Sequence, residues 1–86
     1  MTEDGLLAYI LMKVPSKHIE EVAEALRAYP QIHEISVIYG ESDIIAKVHA
    51  ASSQDLDMLV MNDLHGLEQV ESTRTFIVVT SLHWMR

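Results

Sequence analysis

The chain has 86 residues, 49% of them hydrophobic and 22% charged, a composition typical of one small folded domain. It contains no cysteine, which excludes disulfides, thiolate metal sites and cysteine nucleophiles. Thirteen acidic against six basic residues give a formal charge of −7, whereas a surface that binds duplex DNA or RNA is basic. We therefore expect no direct contact with nucleic acid.

The sequence shows no targeting or membrane signal. Residues 1–5 are acidic, whereas a signal peptide opens with a basic segment, and the apolar run of residues 6–12 is too short to span a bilayer. We expect a cytoplasmic protein with no membrane partner. Its single domain is predicted over residues 6–83, between short tails of residues 1–5 and 84–86.

The first half of the chain predicts a strand, a helix and a second strand. Leu6–Val14 is an apolar run interrupted only by Lys13, which favours a strand buried on both faces. Ser16 can cap a helix, and Pro30 ends it before a second strand at Ile32–Tyr39. The apolar stripe of this helix follows the spacing i, i+3, i+4, i+7 and consists of Ile19, Val22, Ala23 and Leu26.

The second half repeats this order after a turn at residues 40–43. A third strand is predicted at Ile44–Ala50, and Ser52 with Asp55 three residues later signals the start of a second helix. Gly66 ends this helix, and a last strand lies within Val70–Leu82. The helix has its own apolar stripe, which consists of Leu56, Leu59, Val60 and Leu64. The order βαββαβ predicts a ferredoxin-like α+β fold, in which a four-stranded antiparallel sheet carries both helices on one face.

The hairpin between the second and third strands has a preferred register. Pairing Ile35 with Val48, which places Tyr39 opposite Ile44, sets apolar residues against apolar ones on one face and polar against polar on the other. A slip by one residue mixes the two classes. We therefore predict the register that keeps the faces separate.

Residues with catalytic or metal-binding potential do not group in the sequence. None of the five histidines shows the i, i+4 pairing of a helical zinc motif, and the preferred register puts His33 and His49 on opposite faces. No Gly-x-Ser-x-Gly elbow or glycine-rich phosphate loop occurs. Glu41 and Asp43 share a turn, and they serve either as an acid–base pair or in plain turn chemistry. We expect no metal, no cofactor and no enzymatic activity.

The first and last strands are apolar on both faces, although two helices can cover only one face of the sheet. We expect the other face to pack against a second copy, sheet against sheet, in a homodimer of the dimeric α+β-barrel type. The predicted interface residues are Leu7, Tyr9, Leu11, Ile77 and Val79. Met58 and Met61 lie beside the second helical stripe, and we interpret them as core filler, with a further subunit contact as the alternative.

Three segments together resemble a known family. Residues 39–48, YGESDIIAKV, resemble the Gly-x-aromatic-Asp turn and apolar strand in the C-terminal effector-binding (RAM) domain of the Lrp/AsnC, or feast/famine, transcription regulators. Residues 8–14 and 66–79, the latter with a Thr-x-Thr, are similar to the family's first and last strands. The resemblance covers residues 6–83, and only five residues precede it. We therefore expect a stand-alone RAM domain without the helix-turn-helix.

This resemblance implies an assembly and a ligand. Family members form homodimers that assemble into an octamer or a similar ring, and an amino-acid effector binds between dimers near the turn. Full-length Lrp/AsnC-type regulators are the implied protein partners. The implied ligand-binding residues lie in the turn and the last strand, at Tyr39, Gly40, Glu41, Ser42, Asp43, Thr73 and Thr75.

The implied roles follow from the charges of a free amino acid. Asp43 is expected to accept a hydrogen bond from the ammonium, while backbone N–H groups around Gly40 and the hydroxyls of Thr73 or Thr75 donate to the carboxylate. Arg74 lies between the threonines and is expected to point to the opposite face. Ser42 stands where the family usually has an aromatic residue, which implies a wider or more polar pocket.

The function expected from these residues is an amino-acid-binding and oligomerisation module that modulates transcription regulation without binding DNA itself. One alternative is a dimeric α+β-barrel enzyme of the cofactor-independent oxygenase or isomerase type, because fold alone does not decide function. A roomy cavity around His33, between sheet and helices, would favour that enzyme. The other alternative is an oligomerisation module that binds no ligand.

Overall fold

The strands and helices follow one another in the predicted order. The computed structural model describes residues 5–38 and 43–79, so the turn residues 39–42, the predicted end of the last strand beyond residue 79 and all of the predicted tails except Gly5 lie outside it. A short 3₁₀ turn, Ser16–His18, precedes the first helix, and a π-helical segment, Leu59–Leu64, continues the second. The elements are β1 (Leu6–Lys13), α1 (Ile19–Leu26), β2 (Ile32–Ile38), β3 (Asp43–Ala50), α2 (Ser53–Met58) and β4 (Ser72–Ile77).

The four strands form one antiparallel sheet in the order β2-β3-β1-β4. β1 and β3, which lie next to each other in the middle, are the two longest strands at 8 residues each. This arrangement confirms the predicted ferredoxin-like α+β fold. No helix within the described residues is long and apolar enough to cross a bilayer.

The core lies between the two helices and one face of the sheet. Alternate residues of β1 and β3 point into it, and both predicted helical stripes reach it, since Val22, Leu26, Leu56, Leu59 and Leu64 are all buried. None of the buried side chains in the described residues is polar or charged. The strand contribution consists of Ala8, Ile10 and Met12 from β1 and Ile44, Ala46, Val48 and Ala50 from β3.

The second helix begins as predicted and then widens. The Ser52 hydroxyl accepts a hydrogen bond from the Asp55 N–H at 3.1 Å, and the Asp55 carboxylate accepts one from the Ala51 N–H at 3.0 Å. After Met58 the backbone bonds lengthen to the i→i+5 pattern of a π-helix. The interpretation of Met58 and Met61 as core filler is wrong, because their side chains are 55% and 62% exposed.

The predicted hairpin register is wrong by two residues. Ile35 pairs with Ala46 rather than with Val48, and Val37 pairs with Ile44. Because the shift is even, each side chain of β2 from Glu34 onward stays on its predicted face. The alternation of apolar and polar residues therefore determines which face is buried, but it does not distinguish registers that differ by two. The predicted pairing of Tyr39 falls outside the described residues.

A β-bulge at His33 changes the placement of the histidines. Ile32 pairs with Val48 and Glu34 with Lys47, so His33 is an extra residue on β2. The prediction that His33 and His49 point to opposite faces is wrong, because their rings stack with centroids 4.2 Å apart and an interplanar angle of 21°. The bulge interrupts the strict alternation on which that prediction depended.

Candidate ligand-binding site

The face of the sheet away from the helices, called here the open face, is partly apolar. Leu7, Tyr9 and Leu11 of β1 lie on it and are half-buried. Phe76, which pairs with Tyr9, also lies there and is 51% exposed. Ile77 pairs with Ala8 and so lies on the side of the helices.

The last predicted interface residue, Val79, lies just beyond β4 and is 94% exposed. The preceding residue, Val78, donates its backbone N–H to the carbonyl of Leu7 at 2.8 Å, which continues the β1–β4 pairing by one residue. The open face therefore has a central apolar row from β1 that β4 extends through Phe76.

One end of the open face forms a pocket of about 230 Å³, at the edge next to the β2–β3 turn. Lys13, the last residue of β1, lies opposite Asp43 on β3 and opposite Ser72 on β4, and Leu11 lies opposite Arg74. Three adjacent strands thus bring together residues that are far apart in the chain. The lining consists of Leu11, Lys13, Asp43, Ser72 and Arg74.

Asp43 is the residue of this pocket with an unmet hydrogen-bonding requirement. Its carboxylate oxygen Oδ1 is buried and finds no hydrogen-bond partner among the residues that the structure describes. A buried polar oxygen without a partner is costly, and most such atoms in folded proteins are paired. Because Asp43 also lines the pocket, its carboxylate is the candidate acceptor for a donor that enters it.

Arg74 supplies the opposite charge, and its guanidinium is positioned by its neighbour. The guanidinium carbon lies 5.7 Å from the centroid of the Phe76 ring, within the range of a cation–π contact. Such stacking leaves the planar N–H fork free to bind a carboxylate. A carboxylate on β3 and a guanidinium on β4 thus lie in one pocket, which suits a ligand with both charges.

Among the other predicted ligand-binding residues, the structure describes Thr73 and Thr75 and separates both of them from this pocket. Tyr39, Gly40, Glu41 and Ser42 lie outside the described residues. Thr73 pairs with Met12 and Thr75 with Ile10, so both threonines lie on the helix side of the sheet.

Arg74 and Lys13 were not among the ligand residues expected from the sequence. Arg74 does point to the face opposite the threonines, as predicted, but this is the face on which Asp43 lies. Lys13 has a signal in the sequence, because it interrupts the apolar run of β1. The ferredoxin-like strand order places the end of β1 between the start of β3 and the start of β4.

A second cleft, of about 430 Å³, lies on the helix side between the π-helical segment and β4. There the Nε2 atom of His65 is 2.9 Å from the Thr73 hydroxyl oxygen, and Glu71 also lines the cleft. This imidazole–hydroxyl contact is exposed to solvent. It fixes the start of β4 to the end of the second helix.

His33 does not lie in a cavity between sheet and helices. It is exposed, and the pocket of about 240 Å³ beside it, lined partly by Arg27 and Glu34, is on the outside of the molecule. The core behind the sheet is filled with apolar side chains. Within residues 5–38 and 43–79, no three histidine or acidic side chains group closely enough to hold a metal ion.

Comparison with known protein families matches residues 7–83 to the Lrp/AsnC ligand binding domain. Among curated proteins, the HTH-type transcriptional regulator FL11 of Pyrococcus furiosus is 37% identical over 76 residues, which cover 87% of this chain and 49% of the regulator. The chain thus spans about half the length of the curated relatives it matches.

Two solved structures agree with both the fold and the sequence. The crystal structure of FFRP-DM1 superposes with a TM-score of 0.81 at 34% identity and covers 86% of this chain and 99% of its own. The hypothetical protein PHS023 from Pyrococcus horikoshii gives a TM-score of 0.80 at 33% identity, and the match covers 88% of this chain and 92% of PHS023.

Proposed function

The chain belongs to the Lrp/AsnC ligand-binding domain family, and we propose that it is an amino-acid-binding and oligomerisation module acting in transcription regulation. The observation that carries this proposal is the unpartnered, buried Oδ1 of Asp43 in a pocket that also contains Arg74. A free amino acid carries the two charges that such a pair accepts.

The proposed binding mode follows from these charges. The ligand's ammonium donates to Asp43, and its carboxylate accepts from the guanidinium of Arg74, both as charge-assisted hydrogen bonds. At about 230 Å³ the pocket is smaller than the roughly 300–1,000 Å³ typical of sites for drug-sized molecules, which suits a ligand of amino-acid size. We propose further contacts from the turn residues 39–42 and from Thr73 and Thr75 where a second subunit completes the site.

The open face supports the proposed oligomer. An apolar row that includes Leu7, Tyr9, Leu11 and Phe76 would be covered if two copies packed sheet against sheet, in an isologous dimer. Dimers would then assemble into an octamer or similar ring, with the effector between dimers. We place this assembly in the cytoplasm, with full-length Lrp/AsnC-type regulators as partners and, given the charge of −7, no direct contact with DNA.

The test is calorimetry of the full chain against each proteinogenic amino acid, with Asp43→Asn as the variant and Asp57→Asn as its control. Asp57 is an exposed carboxylate on α2, remote from the open face. We expect at least one amino acid to bind at millimolar concentration or below. Since a hydrogen bond to a charged group contributes about 1.5–3 kcal/mol, Asp43→Asn should weaken binding about tenfold or more, and Asp57→Asn should not change it.

Two results would contradict this proposal. If no amino acid binds at millimolar concentration, the chain is an oligomerisation module without a ligand. If Asp43→Asn binds as tightly as the unmodified chain, the amino acid occupies a different site.

A further inference from the structure

A β-bulge brings two histidines together on the open face. His33 is the extra residue of β2 at this bulge, and its ring stacks on that of His49 on β3 with the ring centroids 4.2 Å apart. Strict alternation along β2 would place His33 on the other face, so the pairing depends on the bulge. Bulges are over-represented beside functional sites, where they redirect a side chain.

The backbone on both strands holds the two histidines in place. Ile32 pairs with Val48 on one side of the bulge, and the His49 N–H donates to the Gln31 carbonyl at 2.8 Å. Both histidines therefore lie on hydrogen-bonded strands of one sheet. A ligand that binds the two rings requires movement of the side chains only.

The ring nitrogens of this pair are available to a ligand. Both side chains are exposed, and neither makes a hydrogen bond or an ion pair with any residue that the structure describes. The imidazole of His18, in contrast, contacts the Glu21 carboxylate at 3.3 Å. Each neutral imidazole has one nitrogen lone pair that binds a metal ion, so His33 and His49 together offer two.

The separation of the rings suits a shared metal ion. A zinc–nitrogen bond is about 2.0–2.1 Å long, so two nitrogens on one tetrahedral ion lie about 3.3 Å apart. The rings are 4.2 Å apart at their centroids and inclined by 21°, so their lone pairs run nearly side by side. The torsion about the Cβ–Cγ bond of histidine is broad, and a turn of each ring about this bond can direct both lone pairs to one ion.

Two imidazoles are a ligand set with a known preference among metals. Imidazole suits Zn²⁺, Cu²⁺ and Ni²⁺, whereas Mg²⁺ and Ca²⁺ take oxygen ligands. Such a site needs two protein ligands, so it does not require a group of three histidine or acidic side chains, and the described residues contain none. The formal charge of −7 also favours the approach of a cation.

We propose that His33 and His49 form a binding site for a divalent transition-metal ion of the Cu²⁺, Ni²⁺ or Zn²⁺ type, with water in the remaining coordination positions. This inference goes beyond the proposed function, because the site is separate from the pocket at Asp43. His49 and Asp43 are six residues apart on β3, which corresponds to roughly 20 Å along a strand.

The experiment is calorimetric titration of the full chain with Cu²⁺, Ni²⁺ and Zn²⁺, together with electron paramagnetic resonance of the Cu²⁺ complex. We expect one ion per protomer, with Cu²⁺ bound most tightly, and a spectrum in which two imidazole nitrogens couple to the copper. Each ion should also raise the melting temperature, because the folded hairpin binds it with both rings and the unfolded chain does not.

Variants at both positions separate metal binding from simple ring stacking. His33→Phe and His49→Phe keep a flat ring in the stack and remove the ligand nitrogen. Each should weaken Cu²⁺ binding more than about tenfold, since even the loss of a group that only orients a metal ligand weakens binding about 10–100-fold. His33→Gln, which keeps a polar side chain at the bulge, should weaken it equally. His18→Phe is the matched control and should leave the affinity unchanged.

The possible results decide the proposal on its own terms. If both Phe variants bind Cu²⁺ as tightly as the unmodified chain, or if one imidazole nitrogen alone couples to the copper, the stacked pair is a structural contact and the proposal fails. It also fails if His18→Phe weakens binding as much as His33→Phe does. None of these results bears on amino-acid binding at Asp43, which is measured separately.

Discussion

At the scale of single residues, the alternation of β4 decides which side chains can act together. Thr73 and Arg74 are neighbours in sequence, yet Thr73 contacts His65 on the helix side while Arg74 lines the pocket with Asp43 on the open face. Within this one chain, the first threonine of the Thr-x-Thr that resembles the family motif therefore contacts a histidine on the helix side of the sheet.

The Thr73–His65 contact predicts a difference between the two threonines. Thr73→Val removes the hydroxyl that lies 2.9 Å from the imidazole, and we expect it to lower the free energy of unfolding by about 1 kcal/mol. Thr75→Val is the control, because it makes the same chemical change at an exposed position of the same strand. Urea denaturation measures both, and equal effects of the two substitutions would show that the contact adds nothing to stability.

At the scale of elements, the second helix shows what periodicity predicts and what it leaves open. The apolar stripe and the cap at Ser52 are confirmed, because both depend on local rules that hold for the first turns of any helix. The π-helical segment Leu59–Leu64 was not predicted. Leu59 and Leu64 are buried in the π-helical segment, as the stripe predicted for an α-helix. The apolar pattern of the sequence therefore does not distinguish a π-helix from an α-helix here.

The π-helical segment predicts unequal roles for its apolar residues. Leu59→Ala should lower the free energy of unfolding by about 2–5 kcal/mol, because Leu59 is 1% exposed and its removal leaves a cavity. Met61→Ala, two residues away and 62% exposed, should change it by no more than about 0.5 kcal/mol. Thermal or urea denaturation measures both, and similar losses would contradict the assignment of buried and exposed faces.

The hairpin of β2 and β3 shows a second limit of prediction from sequence. Alternation correctly assigned Ile35 and Val37 to the same face of the sheet, the helix side, but it could not choose between registers two residues apart. The hydrophobic pattern of the sequence does not reveal the bulge at His33, because the bulge adds a polar residue on the open face. The stacking of His33 on His49 follows from that bulge and was therefore missed.

At the scale of the whole molecule, topology assembles the candidate site. The order β2-β3-β1-β4 brings the end of β1 between the starts of β3 and β4, so Lys13, Asp43 and Arg74 meet although each lies about 30 residues from the next. Asp43 was predicted as a ligand-binding residue because its turn resembles the Gly-x-aromatic-Asp turn of the family. Its two cationic neighbours needed the sheet order and the strand registers, which local patterns do not contain.

The same topology leaves the open face uncovered by the two helices, and in the proposed dimer a second copy of the chain packs on it. Tyr9 lies at the middle of β1 on this face, opposite Lys47 on one side and Phe76 on the other. A charged side chain at this position would be buried between two sheets in a dimer, at a cost of several kcal/mol. Tyr9→Glu is therefore the substitution expected to separate the protomers, and Gln54→Glu at an exposed position of α2 is its control.

Native mass spectrometry of the full chain, recorded with and without a mixture of acidic and neutral amino acids, tests ligand binding and assembly together. We predict a dimer, or an assembly with an even number of copies, that gains the mass of one amino acid per protomer. Tyr9→Glu should shift this population to monomers, and Gln54→Glu should leave it unchanged. A monomer of the unmodified chain that binds no amino acid would contradict the proposed sensing and oligomerisation module.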